Sequence, residues 1–176
     1  MAETRKGEVT FRGNPVTLVG PKLKPGDKAP DFTCIGAGLA KVSLADTAGK
    51  ARLFNVVPSL DTPVCSTQTK RFAAELKALG DKVAAYTVSL DLPFAQARFC
   101  TDANIENLQN LSDAHNHSFG TNYGVLIEDL PIPLLARTVL VVDPSDTIRY
   151  IQIVPEIAQE PNYEPALQAL KAAAGS

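Results

Sequence analysis

Residues 51–57, Ala-Arg-Leu-Phe-Asn-Val-Val, form a nearly unbroken apolar run. A run of this kind fits a strand in the middle of a sheet that is covered on both faces. Just beyond it, Thr62-Pro63 opens a helical pattern. Thr62 is a residue type that caps helix N-termini, and Pro63 falls at the first helical position, where its missing N–H would go unpaired in any case. Phe72, Leu76 and Leu79 recur at spacings of four and three, and Gly80 stands where a C′ residue belongs, so the helix is read over 63–79. A buried strand that feeds directly into a helix N-terminus is the unit from which layered α/β folds are built.

The flanking segments extend that unit. Residues 9–11 and 16–18, separated by Arg12-Gly13-Asn14-Pro15, read as a short hairpin. A Pro/Gly/Lys stretch occupies 20–30, short alternating runs at 31–35 and 39–44 read as strands, and 45–50 as a turn. Residues 83–89 make the next strand, and 93–100 a shorter helix carrying Phe94 and Phe99. The stretch 101–135 is irregular and polar, with a short helix and a short strand at 108–111. Residues 138–142 and 148–154 form a hairpin through Asp143-Pro144-Ser145-Asp146, and 163–173 closes the chain as a helix. From residue 51 the order is strand, helix, strand, helix, strand, strand, helix. A right-handed βαβ unit followed by a hairpin and a last helix is the thioredoxin-like order, an α/β fold with a central mixed sheet flanked by helices. The hairpin within residues 1–20 is an N-terminal extension to it, and 176 residues without internal repeats predict one domain, 1–176.

Composition narrows the function. A net charge of −2, with 45% apolar and 20% charged residues, excludes a mostly disordered chain and the electrostatic footprint of a nucleic-acid binder. No run of about 18 apolar residues is present to span a membrane, and the polar start over 1–13 has no apolar signal core. The three cysteines, Cys34, Cys65 and Cys100, are too few and too far apart for a disulfide-stapled scaffold or a cysteine-rich zinc module. A cytoplasmic protein with one or two working thiols, no metal and no bound cofactor is expected. His115 and His117 lie in a polar segment with no matching ligand cluster and are read as loop histidines.

Cys65 occupies the third position of the first turn of helix 63–79. The unpaired N–H groups and the positive end of the helix dipole favour an anion there, so the position suits a thiolate. Cys65 also shares a helical face with Phe72, Leu76 and Leu79, and a buried cysteine often serves as a small hydrophobe. Position alone leaves both roles open.

The residues around it are more specific. Pro58-Ser59-Leu60-Asp61-Thr62-Pro63-Val64-Cys65 spells P-x-x-x-T-x-x-C and resembles the motif that carries the peroxidatic cysteine of peroxiredoxins. The segment from Ser89-Leu90-Asp91-Leu92-Pro93-Phe94 through Arg98-Phe99-Cys100 resembles the one bearing the resolving cysteine in the thiol peroxidase subfamily, the atypical two-cysteine class. Leu134-Leu135-Ala136-Arg137 resembles the approach to the family's active-site arginine, and the N-terminal hairpin suits the same subfamily. The resemblance covers essentially the whole chain. It implies reduction of hydrogen peroxide and organic hydroperoxides, a homodimer, and recycling by thioredoxin. It further implies that Cys65 is oxidised to a sulfenic acid and that Cys100 condenses with it as an intramolecular disulfide. Arg137, the Thr62 hydroxyl and the N–H groups of Val64 and Cys65 would bind and orient the peroxide, and Pro58 would shield it from water.

Elementary kinetics limits what the thiolate alone supplies. A thiol of pKa about 8.5 is roughly 3% ionised at pH 7, so complete ionisation offers at most about 30-fold. Lowering the pKa by about 2.5 units costs roughly 10-fold in intrinsic nucleophilicity if the thiol-exchange slope carries over to peroxide. Most of the acceleration must therefore come from holding the peroxide in line and stabilising charge on the departing oxygen. The loop closed by a Cys65–Cys100 bridge is about 35 residues long and would constrain an unfolded chain by roughly 3.8 kcal/mol. A bridge reduced in every cycle serves turnover rather than stability, and both cysteines are expected at helix ends that remodel on oxidation.

Three other functions use similar residues. A disulfide oxidoreductase needs C-x-x-C, and here Thr62 stands where the first cysteine belongs. A redox-sensing module could use the same disulfide as a switch without turnover. A Cys/His hydrolase would act independently of Cys100. Cys34, in Asp31-Phe32-Thr33-Cys34-Ile35, is read as a packing residue, Arg98 as a solvated helix charge, and Pro131 and Pro133 as loop breakers or shapers of the wall carrying Arg137.

Overall fold

The computed structural model describes residues 2–175. Strands β1 (Thr4–Phe11) and β2 (Asn14–Val19) pair antiparallel around Arg12 and Gly13, with Phe11 opposite Asn14. Both turn residues have positive φ, 52° and 81°, so the connection is tighter than the four residues expected. There follow β3 (Thr33–Ile35), β4 (Lys41–Ser43), β5 (Ala51–Val56), α1 (Pro63–Leu76), β6 (Val83–Ser89) and α2 (Pro93–Ala103). The chain continues through β7 (Gln109–Ser112), α3 (Ser118–Asn122), β8 (Leu126–Ile127), β9 (Leu134–Leu135), β10 (Thr138–Val142), β11 (Ile148–Ile153) and α4 (Tyr163–Ala173).

Seven strands form one mixed sheet in the order β11-β10-β5-β6-β7-β3-β4. The pairs β5–β6 and β6–β7 are parallel, and the other pairs are antiparallel. Side-chain alternation assigns the two faces. Ala51, Leu53, Val83, Ala85, Val139 and Val141 meet Phe72, Ala73 and Leu76 of α1 and Tyr163, Leu167 and Leu170 of α4. Phe54, Val56, Tyr86, Val88, Leu140 and Val142 face the opposite way, toward Phe32, Phe119, Leu18 and Ile127. All six residues of β5 are buried, as its central place requires.

The central mixed sheet flanked by helices is thus as expected, but the N-terminal hairpin does more than extend it. β1 and β2 join β8 and β9 in a second sheet, order β1-β2-β8-β9, whose apolar side chains complete the second core layer. The strands β8 and β9 lie in the stretch read as irregular. They are two residues long, β9 pairing with β8 across a loop and β8 in turn with β2, far away in sequence, so no local periodicity announces them. Gly20 and Gly124 let this layer close: a Cβ on Gly20 would stand 1.9 Å from the Thr121 carbonyl oxygen, and one on Gly124 1.9 Å from that of Pro21.

Several boundaries differ from expectation. α1 ends at Leu76, and the chain tightens into 3₁₀ turns over Lys77–Lys82, with Gly80 at φ 51° inside them rather than capping an α-helix. α2 runs three residues past Cys100, because Asn104 adopts the left-handed conformation that ends it, φ 55° and ψ 47°. The 39–44 strand contracts to β4 behind a 3₁₀ turn at Ala37–Leu39, and the 45–50 turn contains another at Ala45–Thr47. The strand at 108–111 is displaced by one residue, to β7. The apolar run of β5 also hides two polar side chains with no exposure, Arg52 and Asn55. Arg52 is held by Thr47 Oγ1 at 3.1 Å and by the Asp143 carbonyl and Asp146 Oδ1, both at 2.6 Å, which ties the β10–β11 turn to the sheet.

Candidate active site

The site is built where β5 passes into α1. Val57 donates its N–H to the Val88 carbonyl, Pro58 is buried, and the loop then turns under one carboxylate. Asp91 Oδ1 accepts from the Ser59 hydroxyl, and Oδ2 from the Leu60 N–H and the Ser89 hydroxyl, each at 2.8 Å. Asp91 thereby fastens the loop before α1 to the loop before α2. α1 starts at Pro63, with Thr62 in the N-cap position at φ −103° and ψ 149°. The Thr62 hydroxyl does not cap the helix; it donates to the Ser59 carbonyl at 2.9 Å. The hydroxyl is thus not spent on the helix, and its oxygen keeps its lone pairs.

Cys65 has no solvent exposure, and its Sγ accepts from Arg137 Nη1 at 3.4 Å. Arg137 lies between β9 and β10 and is 2% exposed. The same Nη1 donates to Gln68 Oε1 at 2.9 Å, and Nε donates to the Ile157 carbonyl at 2.8 Å. No carboxylate makes an ion pair with Arg137 among the described residues. Gln68 and Ile157 are neutral partners, so the group in contact that can balance the buried cation is the Cys65 sulfur. The first-turn N–H groups at Val64 and Cys65 are ones an α-helix leaves unpaired, and they add to the positive environment.

A buried polar chain continues behind this pair. Gln68 Nε2 donates to Asn55 Oδ1 at 2.7 Å, and Asn55 Nδ2 donates to Thr69 Oγ1 at 2.9 Å and Thr87 Oγ1 at 3.2 Å. The Thr69 hydroxyl donates to the Cys65 carbonyl at 2.8 Å. Sequence reading missed Gln68, Asn55, Thr69 and Asp91. The signal existed: Gln68 and Thr69 are polar residues three and four places beyond Cys65, on a helix face that is otherwise apolar.

Cys100 is half-buried on the last turn of α2, its Sγ 3.3 Å from Asn110 Nδ2 and 3.5 Å from Oδ1. All three cysteines are free thiols. Cys65 packs in a small cluster with Val57 and Leu60, Cys100 packs against the α1/α4 core, and Phe99 touches both clusters. Cys34 is buried and donates to Asp113 Oδ1 at 3.7 Å. His115 is exposed and His117 half-buried, and neither hydrogen-bonds to a cysteine among the described residues. Arg98 is exposed and 3.6 Å from Asp61, and Pro131 and Pro133 are exposed.

The redoxin family model matches residues 24–167. The chain belongs to the redoxin family. A thiol peroxidase of Halalkalibacterium halodurans is 50% identical over 165 residues, covering 94% of this chain and 98% of the relative. One from Bacillus subtilis is 49% identical and covers 94% and 97%. Within its family, this redoxin is therefore a peroxiredoxin-type thiol peroxidase. Among solved structures, a peroxiredoxin-like protein from Aquifex aeolicus superposes with TM-score 0.87 at 42% identity, over 96% of this redoxin and 99% of that chain. A thiol peroxidase from Chromobacterium violaceum shares the fold at TM-score 0.84 and 17% identity, covering 93% and 95%. Among the described residues, no group of three or more His, Cys, Asp or Glu is placed to hold a metal, and no helix is long and apolar enough to cross a membrane.

Proposed function

We propose that Cys65 is the peroxidatic residue and that its contact with Arg137 drives the reaction. The 3.4 Å approach of a buried guanidinium, without a carboxylate partner among the described residues, to a thiol at a helix N-terminus carries this reading. The thiolate attacks the nearer peroxide oxygen, the O–O bond breaks, and the departing oxygen takes a proton to leave as water or an alcohol. Arg137 Nη1 and the N–H groups at Val64 and Cys65 stabilise the charge that develops on the oxygens, in a site where burial removes competing water. The Thr62 oxygen accepts a hydrogen bond from the peroxide while its own hydroxyl donates to the Ser59 carbonyl. Pro58, itself buried, closes the wall behind the sulfur.

Cys65 is left as a sulfenic acid. The Cys100 thiol attacks its sulfur, a disulfide forms, and water is released. Because the two sulfurs sit in separate clusters with Phe99 touching both, the first turn of α1 and the end of α2 unwind for this step. A dithiol such as thioredoxin then reduces the bridge and is itself oxidised. We place the working enzyme in the cytoplasm, in line with its sparse cysteines, and, on the family resemblance, as a homodimer.

Mass spectrometry after one equivalent of peroxide tests the assignment. The wild type should carry an intramolecular Cys65–Cys100 bridge, Cys100→Ser should retain an oxidised Cys65, and Cys65→Ser should not turn over. A bridge through Cys34 would sink the reading. With thioredoxin and its reductase supplied, consumption of many equivalents of peroxide marks an enzyme, and of a single equivalent a sensor. Sedimentation of the reduced protein decides the dimer.

A further inference from the structure

We infer that the N-terminal hairpin, acting through the Glu156 carboxylate, is a positioning element for the Arg137 guanidinium. The inference rests on the assignment of Arg137 as the group that stabilises the reacting oxygens at Cys65. Arg137 reaches Cys65 with Nη1 and is anchored at Nε by the Ile157 carbonyl, 2.8 Å away. Ile157 lies between β11 and α4, where neither a helix nor a sheet ladder sets the direction of its carbonyl.

That direction is set by β1. Thr10 N–H donates to the Pro155 carbonyl at 2.7 Å, and Ile157 N–H donates back to the Thr10 carbonyl at 3.0 Å. Glu156 locks the arrangement from both ends. Its Oε1 accepts from Thr10 Oγ1 at 3.0 Å and from the Gly13 N–H at 2.8 Å, and its Oε2 accepts from the Ala158 N–H at 2.8 Å. One carboxylate therefore joins the hairpin turn to the residues on both sides of the Ile157 carbonyl. The N–H groups of Ala158 and Gly13 hold this carboxyl below its ordinary range against a smaller opposing effect of burial, so the clamp is ionised at neutral pH. The Ile157 side chain is 4% exposed, in the same core cluster as Val9 and Val16 of the hairpin. A displacement of about 1 Å in a positioned group can cost about 100-fold in rate, so partial loosening of the anchor should be visible in catalysis.

The test is a double-mutant cycle on the full-length chain, read as the rate of Cys65 oxidation by quenched-flow alkylation and mass spectrometry. Glu156→Ala should slow oxidation about 10-fold, with Glu156→Gln, which keeps one acceptor oxygen, in between. Arg137→Lys has no Nε–H to give Ile157; in that background Glu156→Ala should add less than about 2-fold. The pH profile of Cys65 alkylation by iodoacetamide should move with Glu156→Ala in the wild type and stay put in the Arg137→Lys background. A rate unchanged by Glu156→Ala, or an equal loss in both backgrounds, would overturn the inference while leaving Arg137 in its role. An Arg137→Lys variant as fast as the wild type overturns both. Should Glu156→Ala fail to fold, Thr10→Val removes one bond of the clamp and allows the same cycle.

Discussion

Cys34 and Cys65 are equally buried, with no exposed surface on either, yet their surroundings are opposite in sign. Cys65 faces a guanidinium N–H at 3.4 Å, and Cys34 faces the Asp113 carboxylate at 3.7 Å. Asp113 is itself pinned by the N–H groups of Phe119 at 3.0 Å and Gly120 at 2.8 Å. Burial, reinforced by the Asp113 charge, pushes the Cys34 thiol well above its ordinary range, so it stays a hydrogen-bond donor. Burial also raises the Asp113 carboxyl, partly offset by its N–H donors. Burial by itself therefore does not make a cysteine inert. The charge beside the sulfur decides whether an anion is welcome there.

The sharpest way to break this comparison is to remove each sulfur in turn. Cys65→Ser should reduce peroxide consumption, followed with a coupled reductant, to the uncatalysed background, whereas Cys34→Ser should keep the wild-type rate. A large loss in Cys34→Ser would show that the two sites are not functionally separate. Removing the charge at the reactive site comes next. Arg137→Met should lower the second-order rate with peroxide by about 10²–10³-fold, the range found when a preorganised charge-stabilising donor is lost. Thermal melts of the variant should accompany that measurement, because Arg137 is also bonded to Gln68 and Ile157.

A smaller effect appears in stability. Cys34 keeps its proton in the folded chain at pH values where an unfolded thiol, with pKa about 8.5, gives it up. The folded state then binds more protons, so this contribution is fully present below about pH 8.5 and is lost as pH rises toward the folded value. Urea unfolding of the wild type should weaken by up to about 1.4 kcal/mol per pH unit above pH 8.5 relative to Cys34→Ser. Parallel curves for the two proteins between about pH 8.5 and 9.5 would contradict the buried Cys34–Asp113 pairing. The smallest effect is at pH 7, where serine still donates to Asp113 and the cost should stay near 1 kcal/mol.

Both the fold and the site were partly legible before the structure. The β5–α1 junction, the β10–β11 hairpin and α4 declare themselves through local periodicity, and Thr62-Pro63 marks the helix start to the residue. What failed was tied to distant partners. Nothing near residues 126–127 reveals that they pair with β2, and Asn104 ends α2 through a backbone conformation that composition does not display. Gln68 stands out as a polar residue on an apolar helix face, but its partners do not: Gln68 and Asn55 bond each other and reach Arg137, Thr69 and Thr87, all on other elements or turns of the chain.

By itself the sequence determined the strand that leads to Cys65, the helix N-terminus that holds it and, through motif resemblance, the other residues to suspect. These depend on neighbours a few positions apart, where periodicity and capping chemistry operate. Only the tertiary structure decided which charge each cysteine meets, that Arg137 has no carboxylate partner among the described residues, and that the Ile157 carbonyl and the Gln68 side chain anchor it. Such contacts bring together residues 72 and 79 positions apart in the chain. Electrostatic and hydrogen-bond energies depend on distance in space, which local sequence does not encode.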